Sequence, residues 1–279
     1  MDYQCIVAAT DGTSAARHAV EVAARLASQS GARLRLLSVV PAPASVAAAN
    51  IDPPHPGPFP DLPPGKVETA VAVGLPGVEI ARYAETERAD LLVLGRPFRS
   101  QASRRLLGDT GDAVARRAAA PCLFVPPVDR FPGRILAALD GTERGLMVVK
   151  TASDFARAAA GRLRAVTVEL SVANEPHHLA SVLPLARSER LSQALDRLFV
   201  EDPSLCDLWD RRNQSGDRSV LTVRRGDPVA QILEEIELST PDVLAVGFHR
   251  GGPPGLIEGR SVGRRLLHSA RCAVLTVPL

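Results

Sequence analysis

The sequence predicts an α/β protein built from two doubly wound parallel-sheet domains joined head to tail. Three observations predict it. The chain has 279 residues, a length that suits two ordinary domains better than one large one. Short apolar runs alternate with segments of helical period, the pattern of a parallel sheet covered on both faces. The chain also repeats itself in a fixed order.

The repeat is carried by three pairs of segments. Residues 6–13 read IVAATDGT and residues 135–142 read ILAALDGT, with six of eight positions identical. ADLLVLG, ending at Gly95, matches PDVLAVG, ending at Gly247. PCLFVP, ending at Pro126, matches AVLTVP, ending at Pro278. The last two pairs stand at one separation and the first pair at a shorter one. The second half therefore carries extra residues in its middle. The boundary falls in PPVDRFPG, residues 126–133, where four of the residues are Pro or Gly. This gives domains over 1–127 and 132–279.

Each element follows from local pattern. Residues 5–10 form a continuous apolar run and read as a strand ending in Asp-Gly. Residues 14–28 place Ala16, Val20, Val22, Ala23 and Leu26 at helical spacing, with Ser14 as the expected cap. ARLRLLSVV is a strand. Residues 41–66 are rich in proline, which locks φ, and read as a surface loop. KVETAVAVG is a strand, PGVEIARYAETERA a helix, DLLVLG a strand, residues 110–119 a helix and PCLFVP the last strand. The second half repeats this with RILAALDG, a helix over 143–160, RLRAVTVEL, VLTVRRG, a helix over 228–238, DVLAVG, a helix from about Val262, and AVLTVP. Its extra residues, about 175–219, carry a helix over 185–198.

Composition excludes several functions. Aromatic residues are only 4%, so the core must be built from Ala, Val, Leu and Ile. A net charge of +2 gives no electrostatic reason to bind nucleic acid. No stretch approaches the roughly 18 apolar residues that span a bilayer, and the opening MDYQCIVAATDG does not read as a signal peptide. Cys5, Cys122, Cys206 and Cys272 show no metal-ligand spacing. Reduced thiols in a cytoplasmic protein are expected. There is no GxxxxGK[ST] or HExxH, hence no P-loop or zinc-protease signature.

In a doubly wound sheet, ligands bind beyond the carboxyl ends of the strands where strand order reverses. The loops after the first and fourth strands of each half are the places to expect function. The residues found there are similar to those of the universal stress protein family. The resemblance rests on the strand ending in Asp-Gly-Thr, on Gly74 and Pro76 with their counterparts Gly226 and Pro228, on the Asp-apolar-Gly strand, and on the closing strand after a helix. It covers nearly all of both halves and implies Rossmann-like domains of the adenine nucleotide α-hydrolase type. It also implies pairing along the last strands, so that one chain imitates a dimer, with a further homodimer left open.

The family's ATP-binding members carry Gly, two residues, Gly, nine residues, Gly, then Ser or Thr. Glycines let backbone approach phosphate, and amides at the next helix start bind anions. Here the spacing survives and the residues change. The first half has Gly95, then Phe98 where Gly belongs, Gly108, and Asp109 where the hydroxyl belongs, with Thr110 one position late. The second has Gly247, then Arg250, then Arg260 or, with a one-residue gap, Gly259, followed by Ser261 and Val262. Arginines bind phosphate through charged hydrogen bonds, or fill the space where it would sit. The resemblance further implies that Asp11, Gly12, Thr13 and Val39, and Asp140, Gly141, Thr142 and Val168, frame adenine and ribose. The expected ligand is ATP or a related adenine nucleotide, with no metal beyond its magnesium and no catalysis.

Plainer readings stand beside these. Asp-Gly is also a turn former. His177-His178 and His249 read as solvated. Arg104-Arg105, Arg116-Arg117 and Arg264-Arg265 read as solvated faces, and Trp209 as an anchor for the insert. A scaffold with degenerate sites, acting through protein partners at the proline-rich loop or the insert, is the alternative function. An ATP-hydrolysing enzyme ranks below both.

Overall fold

A computed structural model of the chain describes residues 3–40, 65–96, 109–127, 131–169, 187–209, 221–250 and 261–279. The first half runs β1 (Cys5–Ala9), α1 (Ser14–Ser30), β2 (Arg33–Val40), β3 (Val67–Val73), α2 (Pro76–Thr86), β4 (Leu91–Gly95), α3 (Asp109–Arg117) and β5 (Cys122–Val125). The second runs β6 (Arg134–Leu139), α4 (Glu143–Ala158), β7 (Arg162–Glu169), α5 (Arg187–Glu201), a 3-10 turn (Pro203–Asp207), β8 (Leu221–Arg225), α6 (Pro228–Ser239), β9 (Val243–Phe248), α7 (Val262–Ser269) and β10 (Ala273–Pro278). The expected elements all form. The proline-rich stretch before Gly65 and the His177-His178 pair lie outside the described residues.

All ten strands join one sheet in the order β3-β2-β1-β4-β5-β10-β9-β6-β7-β8. Every neighbouring pair is parallel except β5 with β10, where Phe124 opposes Val274 and Leu123 opposes Leu275. Each half starts in the middle, steps outward to β3 or β8, and returns across itself. Strand order therefore reverses between β1 and β4, and between β6 and β9. Because the junction is antiparallel, the carboxyl edges of the two halves lie on opposite sides of the molecule.

Strand residues alternate between two core layers, as the two-residue period requires. From β1, Ile6 and Ala8 enter the layer under α1 and α4, while Cys5, Val7 and Ala9 enter the layer under α2, α3, α6 and α7. Both layers continue across the junction. Helix α1 buries six alanines with Val20, Val22 and Leu26, so it lies close to the sheet despite the scarcity of aromatics. Its cap is Thr13, whose Oγ1 accepts from the Ala16 amide at 3.3 Å, and Ser14 is the first helical residue. The cap falls one residue early because Gly12, at φ 77°, turns the chain and leaves Thr13 extended. Beyond the boundary, Phe131 packs under the Arg25 guanidinium, 4.1 Å from the ring centroid.

Two aspartates tie each half together from matching positions. Asp90 Oδ2 accepts from the amides of Gln4 and Cys5 at 2.7 and 2.9 Å. Asp242 Oδ2 accepts from the amides of Gly133 and Arg134 at 3.2 and 2.9 Å, and pairs with the Arg134 guanidinium at 3.0 Å. The acidic residue that opens the fourth strand thus fastens the start of the first. The insert is held by Trp209, which is buried, stacks edge-on to Phe199 at 5.1 Å and bridges to Leu163.

Helix α3 meets α7 across the junction. Asp112 accepts from Arg264 at 2.5 Å and lies 3.2 Å from His268, with Arg116 of its own helix at 3.4 Å. Arg264 is thus at the contact between halves and not on a solvated face as its sequence pattern predicts. The strand β10 that carries α7 to the junction is far away in sequence, so local pattern had no access to this partner.

Two stability outcomes follow. Trp209→Ala should cost about 3–5 kcal/mol by urea unfolding, the usual range for a buried large aromatic; a cost below about 1 kcal/mol would remove its role as the insert's anchor. Asp242→Ala should cost about 2 kcal/mol at neutral pH. Burial opposes the Asp242 charge, but the hydrogen bonds from Arg134 and the two amides outweigh it and hold the carboxyl below the usual carboxylate range. Such a group stabilises above its unfolded pKa of about 4 and loses that contribution as pH falls through its folded pKa. The gap between wild type and variant should be widest at neutral pH and narrow as acid is added. A gap that does not change with pH would contradict the assignment.

Candidate functional site

The carboxyl edge of each half gathers the expected residues from strands that neighbour one another. Ala9 pairs with Leu37 of β2 and with Leu94 of β4, which brings the ends of β1, β2 and β4 together. Asp11, Val39 and Gly95 follow from or lie on these ends. In the second half, Leu139 pairs with Thr167 and Ala138 with Val246, which places Asp140, Val168 and Gly247 along the corresponding edge. Val39 and Val168 are half-buried and pack on the layer under α2 and α6.

The two Asp-Gly-Thr turns are duplicates. Asp11 Oδ1 accepts from the Thr13 amide at 3.0 Å and its hydroxyl at 2.7 Å. Asp140 Oδ1 accepts from the Thr142 amide at 3.0 Å and its hydroxyl at 2.7 Å. Gly12 at φ 77° and Gly141 at φ 73° are left-handed, which explains the glycine in both copies. This turn satisfies the plain reading of Asp-Gly. It also sets an exposed carboxylate, held by its own loop, at the edge where ligands bind in such sheets.

The glycines that end the fourth strands differ. A Cβ on Gly95 would sit 2.6 Å from the Ala15 carbonyl group, so the backbone of α1 alone demands glycine there. At Gly247 the nearest atoms are side chains, Leu279 at 2.5 Å and Val148 at 3.5 Å from such a Cβ. Helix α7 starts against this strand end: a Cβ on Gly263 would lie 2.4 Å from the Gly247 carbonyl oxygen. That approach brings Ser261 and Val262 to Gly247. Ser261 caps α7, its Oγ accepting from the Arg264 amide at 3.4 Å. The hydroxyl and the helix-start amides of Val262 and Gly263 can bind an anion.

Arg250 is exposed, just past the end of β9, and Thr110 is half-buried in the first turn of α3. Gly108 and Arg260 lie outside the described residues, as do Phe98 and Gly259. Among the described residues, no group of three or more His, Cys, Asp and Glu could hold a metal, and no helix is long and apolar enough to cross a membrane.

Two features had no signal in the sequence. Arg96, which follows Gly95, is buried, and it reaches into the other half. A groove of about 440 Å³ opens at the junction, between Pro126 and Pro132 on one side and Ile236 and Cys272 on the other. It lies at the amino ends of β9 and β10, away from the second half's carboxyl edge. Its charged groups are already paired, Glu237 with Arg271 at 3.5 Å and Asp242 with Arg134. Burial pushes the Cys272 thiol up to about 11.

The family model for the universal stress protein family matches residues 2–126 and again residues 132–278. A universal stress protein of Methanocaldococcus jannaschii is 37% identical over 60 residues, covering 22% of this chain and 35% of that protein, about a third of its length. Among solved structures, a universal stress protein from Archaeoglobus fulgidus aligns with TM-score 0.67 at 15% identity over 98% of both chains. A putative universal stress protein from Pseudomonas aeruginosa aligns with TM-score 0.64 at 19% identity, over 99% of this chain and 93% of that one. At these identities the structural likeness establishes the fold, and the two family matches establish kinship: the chain belongs to the universal stress protein family, with one family domain in each half.

Proposed function

We propose that this protein is a non-enzymatic, cytoplasmic stress-response protein that binds an adenine nucleotide, best represented by ATP, chiefly in its second half. The observation that supports the reading is the approach of α7 to the Gly247 carbonyl, which starts the helix capped by Ser261 at the carboxyl end of β9, in the sheet edge that also carries Asp140 and Val168. In this reading Val168 flanks the adenine and the exposed Asp140 accepts from ribose hydroxyls. Gly141 and Thr142 hold that carboxylate in place. Gly247, Ser261 and Val262 supply donors to phosphate, and Arg250 and Arg260 supply charge. Magnesium would arrive with the nucleotide. The first half offers Asp11, Gly12, Thr13, Val39, Gly95, Gly108 and Thr110, but its sequence has Asp109 at the motif position of the hydroxyl, and Gly95 is accounted for by packing.

A second reading is favoured by one observation. The Leu279 side chain occupies the space beside Gly247, and Ser261 already serves as a helix cap. A protein with closed sites would act through protein partners instead.

Isothermal titration with ATP at physiological salt separates the readings. Nucleotide binding predicts about one equivalent in wild type. Affinity should weaken roughly tenfold or more in Ser261→Ala and Asp140→Ala, the scale of hydrogen bonds to charged groups, and hold in Asp11→Ala. Absence of heat and of thermal shift at millimolar ATP would reject the nucleotide reading in favour of the scaffold.

A further inference from the structure

We propose that the first half completes the second half's anion site by holding α7 in place, with Arg96 and Asp112 as positioning residues. This rests on the nucleotide reading above. Helix α7 has eight residues, a length that is not stable by itself in water, so its neighbours decide where it lies. Its first turn bears Ser261 and Val262. Its last turn is gripped by Arg96, whose guanidinium donates to the carbonyl oxygens of Leu267 at 2.9 Å, Ala270 at 2.8 Å and Cys272 at 2.6 Å. A cation there fills carbonyls that the helix end leaves unpaired and complements the negative end of the dipole.

Asp112 makes the second grip. Its side chain is only 9% exposed and takes Arg264 and His268, one turn apart on α7. Arg264 sits in the first turn and its amide is the donor to Ser261 Oγ. The carboxylate from the first half thus holds α7 directly beside the group that would meet phosphate.

The sequence repeat shows that this grip runs one way. At the separation that matches Gly95 to Gly247, Arg96 corresponds to Phe248 and Asp112 to Arg264. Phe248 is buried among apolar residues, so the charged grip on α7 has no arginine counterpart for α3. Asp112 and Arg264 are equivalent positions that face each other with opposite charge. Pairing two second halves would oppose Arg264 to Arg264 and leave the arginines without that carboxylate. The first half, with Phe98 and Asp109 in its own motif, serves as the subunit that positions its neighbour's helix.

The test uses the full chain in five forms: wild type, Arg96→Ala, Arg96→Lys, Asp112→Asn, and Asp90→Asn. The last loosens the first half at the start of β1 without touching α7. Two readouts are taken, the ATP dissociation constant by titration and the hydrogen exchange of α7 amides without ligand. Arg96→Ala and Asp112→Asn should weaken ATP by about fivefold or more, the lower end of ordinary coupling between sites, and speed exchange through the first turn of α7. Arg96→Lys should recover part of both. Asp90→Asn should lower the melting temperature and change neither. Unaltered affinity and exchange in Arg96→Ala and Asp112→Asn, or equal changes in Asp90→Asn, would overturn the proposal. A wild type that takes no ATP defeats the nucleotide reading alone; α7 exchange then decides, with faster exchange in the two variants upholding the grip and unchanged exchange ending it.

Discussion

The antiparallel pairing of β5 with β10 is the constraint on which the rest of the molecule depends. Each half alone would end in an apolar strand with unpaired backbone groups, an edge prone to pairing with other chains. Facing the two edges to each other satisfies both, and Leu123 opposite Leu275 and Phe124 opposite Val274 bury the seam. The two core layers then run unbroken through all ten strands. The same pairing sets the direction of everything attached. Helix α7 runs back from the carboxyl edge of its own half, so its last turn arrives at the carboxyl end of β4. That is where Arg96 emerges.

The two halves are not equivalent in this geometry. Both keep the duplicate Asp-Gly-Thr turn, since it is needed to pass from a buried strand into a helix whatever the ligand. They diverge at the end of the fourth strand. In the first half, Gly95 is filled by the backbone of α1, and the residue after it is drawn into the junction. In the second half, the atoms nearest a Cβ built on Gly247 belong to the side chains of Leu279 and Val148, and side chains can shift where backbone cannot. Both phosphate motifs are altered, but only the second keeps the hydroxyl position, at Ser261, which caps α7.

The resemblance that exposed the family is carried largely by residues with structural duties. The aspartate of the fourth-strand motif is spent on the amides that begin the first strand, in both copies. The glycine after Asp11 and Asp140 answers a left-handed turn. Family membership was therefore readable from fold-determining residues, while the glycines of the phosphate motif are the ones that depart from the pattern. Arg264 illustrates the limit. Its neighbours in sequence describe a basic surface, and its partner Asp112 comes from the other half of the chain.

What the sequence by itself determined is the set of local choices: the alternation of apolar runs and helical periods, the Asp-Gly turns, the proline at the start of α2 and α6, and the duplication that predicts two like domains. These are decided by backbone preferences and burial patterns within a few residues, so they can be read locally. Only the tertiary structure decided that Thr13 and not Ser14 caps α1, that Arg96 is buried, that Asp112 holds Arg264 and His268, and that Leu279 leans against Gly247. The cap depends on one exact backbone angle, Leu279 on a strand packed beside β9, and Arg96 and Asp112 on how the two halves meet; in each case the deciding geometry is one that no local pattern encodes.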